Sequence, residues 1–286
     1  MLAAVYLHIH SKAVFNYLSN RTKLHLAPNK KVYFASDVHL GLYPKEKSDI
    51  REKLFVQWLT DIKPTAEALF LVGDIFDFWY EYKKVVPRGF IRFLGKLAEF
   101  TDSGIPVHFF AGNHDIWVND YLPKEAGVML HTDPYITTIN GKSFFIAHGD
   151  GLGPGDYSYK ILRKIFTSPT MQFLFSRIHP NLAFGFGHWW SKQSRYSKGL
   201  FEEFHGCDKE YLILYAQELL KKRNFDYFIF GHRHIPMEIS FGNSKLVNLG
   251  EWISAYTYAT FDGEKLELSS FDKDFDTARI IRTGIS

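Results

Sequence analysis

Short apolar runs alternate along the chain with amphipathic stretches, and each run stops at a polar cluster. Val32-Tyr-Phe-Ala meets Ser36-Asp37-Val38-His39, Leu69-Phe-Leu-Val meets Gly73-Asp74, and Val107-His-Phe-Phe-Ala meets Gly112-Asn113-His114-Asp115. Ser143-Phe-Phe-Ile-Ala meets His148-Gly149-Asp150, and Tyr227-Phe-Ile-Phe meets Gly231-His232-Arg233-His234. Runs this short, rich in Val, Ile, Phe and Tyr and bounded by Gly or Asp, predict strands buried on both faces. Between them, Ile50, Leu54, Trp58 and Ile62 recur every four residues behind Ser48, a candidate helix cap. Phe90, Ile91, Leu94 and Leu97 mark a second helix closed by Gly104 and Pro106, and Leu212, Tyr215, Leu219 and Leu220 mark a third. The alternation predicts an α/β layered sheet. All five polar clusters are expected at one edge of one sheet, beyond the strand C-termini, where such sheets bind ligands. Near the C-terminus, Asp262-Gly263 between two apolar runs predicts a β-hairpin.

Spacing then reveals an insertion. Asp37, Asp74, Asn113 and His148 follow one another at 37, 39 and 35 residues, but His148 and His232 are 84 apart. The excess falls at about residues 157–200. Composition sharpens this. The 286 residues carry a net charge of +3, with 34 Lys and Arg against 31 Asp and Glu. Residues 157–200 hold seven of the basic residues, ten aromatics and no acid, and residues 1–31 hold five more basic residues and no acid. The remainder is therefore acidic. One cysteine, Cys207, excludes a disulfide framework and a thiolate metal site, as expected of a reducing compartment. No run approaches the ~18 apolar residues of a membrane span. Met1–Tyr6 lacks the charged and long apolar regions of a signal peptide. Residues 1–31 are expected to form a poorly ordered extension, and 32–286 one domain carrying the insertion.

Taken singly, each strand-end cluster is an ordinary turn or helix cap. Five together, in the order D-x-H, G-D-x-x-D, G-N-H-D, H-G-D and G-H-x-H, point to a shared site. Imidazole nitrogen with carboxylate and amide oxygen, and no thiolate, suits two divalent ions, manganese ahead of iron or zinc, rather than copper or a structural zinc. A carboxylate bridges two ions with its two oxygens, and Asp74 is the natural bridge. Two ions about 3.5–4 Å apart activate water for in-line attack on phosphorus and neutralise the charge that develops.

Asp37-Val-His39, Gly73-Asp74-Ile-Phe-Asp77, Gly112-Asn-His-Asp115, His148 and Gly231-His-Arg-His234 resemble the calcineurin-like metallophosphoesterases. The resemblance covers residues 32 to about 262 and implies a layered β-sandwich flanked by helices. It implies that Asp37, His39, Asp74 and His234 hold one metal, and Asp74, Asn113, His148 and His232 the other. His114 would stabilise charge or protonate the leaving oxygen, with Asp115 orienting it and Asp77 standing behind the ligands. Gly73-Asp-Ile-Phe-Asp-Phe-Trp79, the long insert after His148-Gly-Asp150, and Gly231-His-Arg-His-Ile-Pro236 followed by Asn248-Leu-Gly-Glu-Trp252 are similar to the UDP-2,3-diacylglucosamine pyrophosphohydrolases of lipid A synthesis. That family splits its substrate into UMP and 2,3-diacylglucosamine 1-phosphate, and its insert is a helical cap over the acyl chains. One departure stands out: the best-known branch has Arg where this chain has His114. A broader phosphodiesterase or nuclease is therefore the alternative. A non-catalytic scaffold is disfavoured, because every ligand position is filled.

The insert is legible apart from the family. Ser168-Pro169 starts a second helix after a first of about ten residues. Its basic and apolar residues suit an interfacial helix or an acyl pocket beside a diphosphate, or else an ordinary helical hairpin packed on the domain. Basic residues with aromatics also describe single-strand nucleic-acid binding, but Leu, Ile and Met at helical spacing favour lipid. Lys160, Arg163, Arg195 and Lys198 are the candidates for the diphosphate or uridine end. The expected setting is peripheral, on the cytoplasmic face of the inner membrane, with a UDP-diacylglucosamine-type lipid as substrate and no protein partner.

Overall fold

The computed structural model describes residues 23–154, 157–198 and 203–285. Parallel strands β2 (Lys31–Ala35), β3 (Ala66–Val72), β4 (Val107–Phe110) and β5 (Met129–His131) form most of one sheet. The hairpin β11 (Thr257–Phe261) and β12 (Leu266–Ser270), turned at Asp262-Gly263, extends it beside β2. In the second sheet β7 (Lys142–Ala147), β8 (Tyr227–Phe230) and β10 (Ser244–Leu249) are parallel neighbours. They are flanked by β6 (Tyr135–Ile139) on one side and by β9 (Pro236–Phe241) and β13 (Ile281–Ile285) on the other. Lys23–Leu24 forms a further strand, β1, parallel to β6, so folded structure begins ahead of Val32. Residues 1–22 of the expected extension 1–31 lie outside the described residues.

The five polar strand ends are thus divided between two sheets, not gathered on one. Side chains alternate along a strand. Val32, Phe34, Phe70 and Val72 face inward against Phe144, Ile146, Ile229 and Val247 of the other sheet. Tyr33, Ala35, Leu69 and Leu71 face outward onto helices. A strand covered on both faces has the same continuous apolar sequence whether the second cover is a helix or a sheet.

Helices α1 (Lys45–Ile62), α2 (Ile91–Asp102) and α3 (Tyr121–Ala126) cover the outer face of the first sheet. The α1 helix starts three residues before Ser48, which sits inside it and accepts a hydrogen bond from the Gly41 N–H at 2.7 Å. Its buried stripe is Arg51, Phe55, Trp58, Leu59 and Ile62, whereas Ile50 is 57% exposed. A spacing of four drifts about 40° per step around a 3.6-residue helix, so Ile50 and Ile62 cannot share one face. Three helices form the insert, not two: α4 (Tyr157–Phe166), α5 (Pro169–Phe175) and α6 (Pro180–Lys198). Ser168 and Pro169 do occupy the N-cap and N1 positions of α5. Finally α7 (Tyr211–Leu220) buries Leu212, Ile213 and Ala216 against the outer face of the second sheet.

A buried histidine pair outside the expected metal ligands predicts an acid-sensitive fold. His108 Nδ1 and His131 Nε2 are 2.9 Å apart, and His108 stacks flat on Phe70 at 4.2 Å. Burial, and then the neighbouring His131, lowers His108 to about 3, and burial lowers His131 to about 4. Both folded values lie below the unfolded 6.5, so between those limits the unfolded chain binds more protons and stability is lost as the pH falls. The stability advantage of the native protein over His108→Leu should therefore shrink by ~2 kcal/mol between pH 7 and pH 5. Urea melts at the two pH values measure it, and a constant gap would rule the pair out as the cause.

Candidate metal centre

Strand register brings the ligand-bearing loops together. Ala35 pairs with Leu71, Val72 with Phe110, and Ala147 with Phe230, so each polar cluster starts at a common level within its sheet. Backbone bonds then join the loops: Asp37 N–H donates to Gly73 O and His39 N–H to Asp74 O, each at 3.0 Å, and Gly231 N–H donates to His148 O at 2.9 Å. The two sheets meet where His232 N–H donates to Asp37 Oδ2 at 3.0 Å. Buried Arg51 holds the first loop, donating to His39 O at 2.8 Å. Asp37, His39, Asp74 and His232 all take positive φ, between 47° and 65°. Asp and His tolerate that region better than most residues, and strain held there is typical of functional sites. At Gly112 a Cβ would lie 2.2 Å from Asp74 Oδ1, so only glycine lets the two loops approach.

Two groups of side chains lie side by side, and a third, Asp77 and His114 with His39, shares His39 with the first of them. Asp37, His39 and His234 make one: His234 Nε2 lies 3.4 Å and His39 Nε2 3.9 Å from Asp37 Oδ1, and the two Nε2 atoms are 3.2 Å apart. Asp74, His148 and His232 make the other, with His148 Nε2 3.3 Å from both Asp74 Oδ2 and Asn113 Oδ1. Asp74 Oδ2 is also 4.0 Å from His39 Nε2, which places this carboxylate between the groups. The seven expected ligands therefore converge.

These residues fit divalent cations. Asp37 Oδ1 is buried without a hydrogen-bond partner, although two imidazole nitrogens face it within 4 Å. A buried carboxylate oxygen left so is costly, and a cation among those three atoms removes the cost. His148 donates from Nδ1 to Val72 O at 2.9 Å, which fixes the ring with Nε2 towards Asp74 and Asn113. Burial holds His39 neutral by lowering it to about 4, against the pull of Asp77. Burial also opposes ionisation of Asp74, but His148, His114 and His39 outweigh it and keep the carboxyl well below its ordinary range. The donor set is nitrogen and oxygen without sulfur, as manganese, iron and zinc accept.

Two expected residues stand differently from the pattern that suggested them. Asp115 makes no hydrogen bond to the His114 ring. Its carboxylate accepts from the N–H groups of Gly112 (2.7 Å), Ile75 (2.9 Å), Phe76 (3.2 Å) and Asp74 (3.3 Å), stapling the Asp74 loop to the Asn113 loop. Burial, and then Asp74, pushes Asp115 up to about 7. His114 is held instead through Nδ1, 3.0 Å from Asp77 O and 3.1 Å from Ser191 Oγ, and its backbone N–H donates to Asp74 Oδ1 at 2.8 Å. Its ring meets His39 edge-on at 4.8 Å, with 12% of the side chain exposed. Asp77 stands behind His39, 3.6 Å from Nδ1. Ser191 has no signal in the sequence, being one serine in a long insert.

Of the expected substrate contacts, Lys160 and Arg163 line a cavity of about 310 Å³ that begins at His148 and includes His131, Asp150 and Lys164. Both are engaged by the protein: Lys160 Nζ donates to Gly153 O at 2.6 Å, and Arg163 Nε to Asp150 Oδ2 at 3.1 Å. The side chains of Arg195 and Lys198 lie outside the described residues.

With this geometry in place, comparison with known proteins is specific. The family model for calcineurin-like phosphoesterases matches residues 30–236. A UDP-2,3-diacylglucosamine hydrolase of Porphyromonas gingivalis is 37% identical over 85% of this chain and 98% of its own length. A protein of that name from Vibrio vulnificus is 29% identical over 83% of this chain and 97% of its own. Among solved structures, an archaeal phosphodiesterase aligns with 84% of this chain and 98% of its own at 14% identity, with a TM-score of 0.43. The chain belongs to the calcineurin-like phosphoesterase family and within it resembles the UDP-2,3-diacylglucosamine hydrolases.

Proposed function

We propose that the protein is a two-metal hydrolase that cleaves the diphosphate of UDP-2,3-diacylglucosamine, giving UMP and 2,3-diacylglucosamine 1-phosphate. The observation that carries this reading is the pair of neighbouring carboxylate–imidazole groups, with Asp74 Oδ2 of one only 4.0 Å from His39 Nε2 of the other, set beside an insert without acidic residues. Asp37, His39, Asp74 and His234 would hold one ion and Asp74, Asn113, His148 and His232 the other; manganese is the ion we assign. The ions supply activation of water and compensation of charge at phosphorus. His114 keeps its Nδ1 proton on Asp77 O and Ser191 Oγ, which leaves Nε2 for the phosphate or the leaving oxygen. Asp115 holds the two loops in place. Lys160 and Arg163, with Arg195 and Lys198, are assigned to the diphosphate and uridine end.

Among the described residues no helix is long and apolar enough to cross a membrane. The insert nevertheless presents Ile161, Phe173, Leu174, Leu182 and Trp189, each more than half exposed, beside exposed Lys164 and Arg177. This combination suits the acyl chains and an anionic surface. We therefore place the protein at the cytoplasmic face of the inner membrane, resting there through the insert.

Retention of His114 supports a second reading, a phosphodiesterase of broader range. Turnover of UDP-2,3-diacylglucosamine against bis(p-nitrophenyl) phosphate, both with manganese, separates the two. The lipid should win, and preference for the soluble ester would leave the broader reading standing. In the same assay His114→Ala should keep both metals by elemental analysis and lose about 10²–10⁴ in kcat. Full activity would remove His114 from the chemistry.

A further inference from the structure

We propose that Ser191 is a positioning residue for His114, and that through it the seating of the insert sets the orientation of the His114 ring beside the metal centre. The inference rests on the role given to His114 above.

The face that α6 turns towards the catalytic body is Ala183, Gly187 and Ser191, all buried and four residues apart. Residues at this spacing lie above one another on a helix. At Gly187 a Cβ would come within 2.4 Å of Phe78 Cζ, so the helix backbone lies directly on that ring. Phe78 is itself wedged edge-on against Trp117 and Phe184, with ring centroids at 5.9 and 6.1 Å. One turn beyond this contact, Ser191 Oγ reaches the site. It donates to Asp77 Oδ1 at 3.1 Å and lies 3.1 Å from His114 Nδ1.

The directions of these bonds follow from chemistry. Asp77 O, 3.0 Å from His114 Nδ1, is a carbonyl and can only accept, so Nδ1 carries the proton. Ser191 Oγ gives its own proton to the Asp77 carboxylate and accepts from the same Nδ1–H. A single hydroxyl thus ties three things together: the helix of the insert, the ring plane and tautomer of His114, and the carboxylate that faces His39 Nδ1 at 3.6 Å. Without it the Asp77 carbonyl still holds Nδ1, but the ring gains freedom to turn about χ2. The partner of a histidine's second nitrogen is what selects its tautomer and fixes its orientation.

The test uses the full manganese-loaded chain and bis(p-nitrophenyl) phosphate, which makes no demand on an acyl pocket. Ser191→Ala should lower kcat about tenfold. KM should stay within about twofold and the metal content should not change, since an orienting contact acts on the transition state rather than on ground-state binding. Ser191→Thr should recover most of the rate. In a His114→Ala background, Ser191→Ala should cost nothing further, because the two act as one unit. Independently of turnover, nitrogen NMR of the metal-free protein should show His114 as the Nδ1–H tautomer, with Nε2–H gaining population in Ser191→Ala. Equal losses in both backgrounds, a change confined to KM, or an unaltered tautomer ratio would overturn the proposal. A slowed His114→Ala beside a full-rate Ser191→Ala overturns it alone. A full-rate His114→Ala overturns the reading of His114 and this proposal with it.

Discussion

Asp74→Ala is expected to leave the protein without either metal and with less than about one-thousandth of its hydrolytic rate, the scale set by losing several kcal/mol of charge compensation. Asp74 Oδ2 lies 3.3 Å from His148 Nε2 and 4.0 Å from His39 Nε2, so it serves both groups at once. Alanine leaves the first group with Asp37 as its carboxylate and the second with imidazoles and the Asn113 amide. Any two cations held by these groups would repel each other with one carboxylate charge fewer between them. Asp74 Oδ1 also accepts the His114 N–H at 2.8 Å, so the substitution loosens the loop that carries Asn113 and His114. Elemental analysis beside turnover of bis(p-nitrophenyl) phosphate checks both halves of the expectation. Retention of a full complement of metal would overturn the assignment of Asp74 to both ions.

Excision of residues 157–200, with a short polar linker in their place, should abolish turnover of the diacylated substrate and binding to anionic vesicles together. Hydrolysis of the soluble ester should persist, reduced by no more than the factor that Ser191→Ala produces. The seven ligands, Asp77 and Asp115 all lie outside the excised stretch, and the loops that carry them are joined by backbone bonds the excision leaves intact. What it removes is the seat of the insert. Trp117 Nε1 donates to Phe166 O at 2.8 Å, Tyr80 OH to Gln172 O at 2.9 Å and Tyr82 OH to Ile178 O at 3.0 Å. These three bonds attach α4, α5 and the turn before α6 to the aromatic rim around Phe78. The excised protein exposes that rim, so the assay calls for detergent below the level that inhibits the intact enzyme. If lipid turnover survives, the acyl chains bind elsewhere.

The convergence of the seven expected residues was legible because its signal is local. Each of them follows the end of a strand by one to four positions, and strand ends, Gly and Asp are all visible in a linear sequence. The hairpin at Asp262-Gly263 was legible for the same reason: Asp262 Oδ1 accepts from the N–H groups of Glu264 and Lys265, a bond within four residues. The start of the insert and the Ser168-Pro169 helix boundary were equally local. The stripe of α1 was misjudged because a count of four approximates a turn of 3.6 and drifts off the face.

What the sequence determined by itself, then, is which chemistry the chain can perform: strand-end carboxylates and imidazoles, an amide oxygen, no thiolate, and a basic, aromatic insert. Tertiary structure decided how those parts are partnered. It split the five strands between two sheets, which no pattern could announce, since an apolar strand does not record what covers its second face. It gave Asp115 to the backbone of the Asp74 loop rather than to its neighbour His114, and engaged Lys160 and Arg163 with Gly153 and Asp150. It also brought Ser191 across 77 positions to His114. Residue type and local spacing are written along the chain, but a hydrogen-bond partner is chosen by distance and direction in space, and those exist only once the layers have packed.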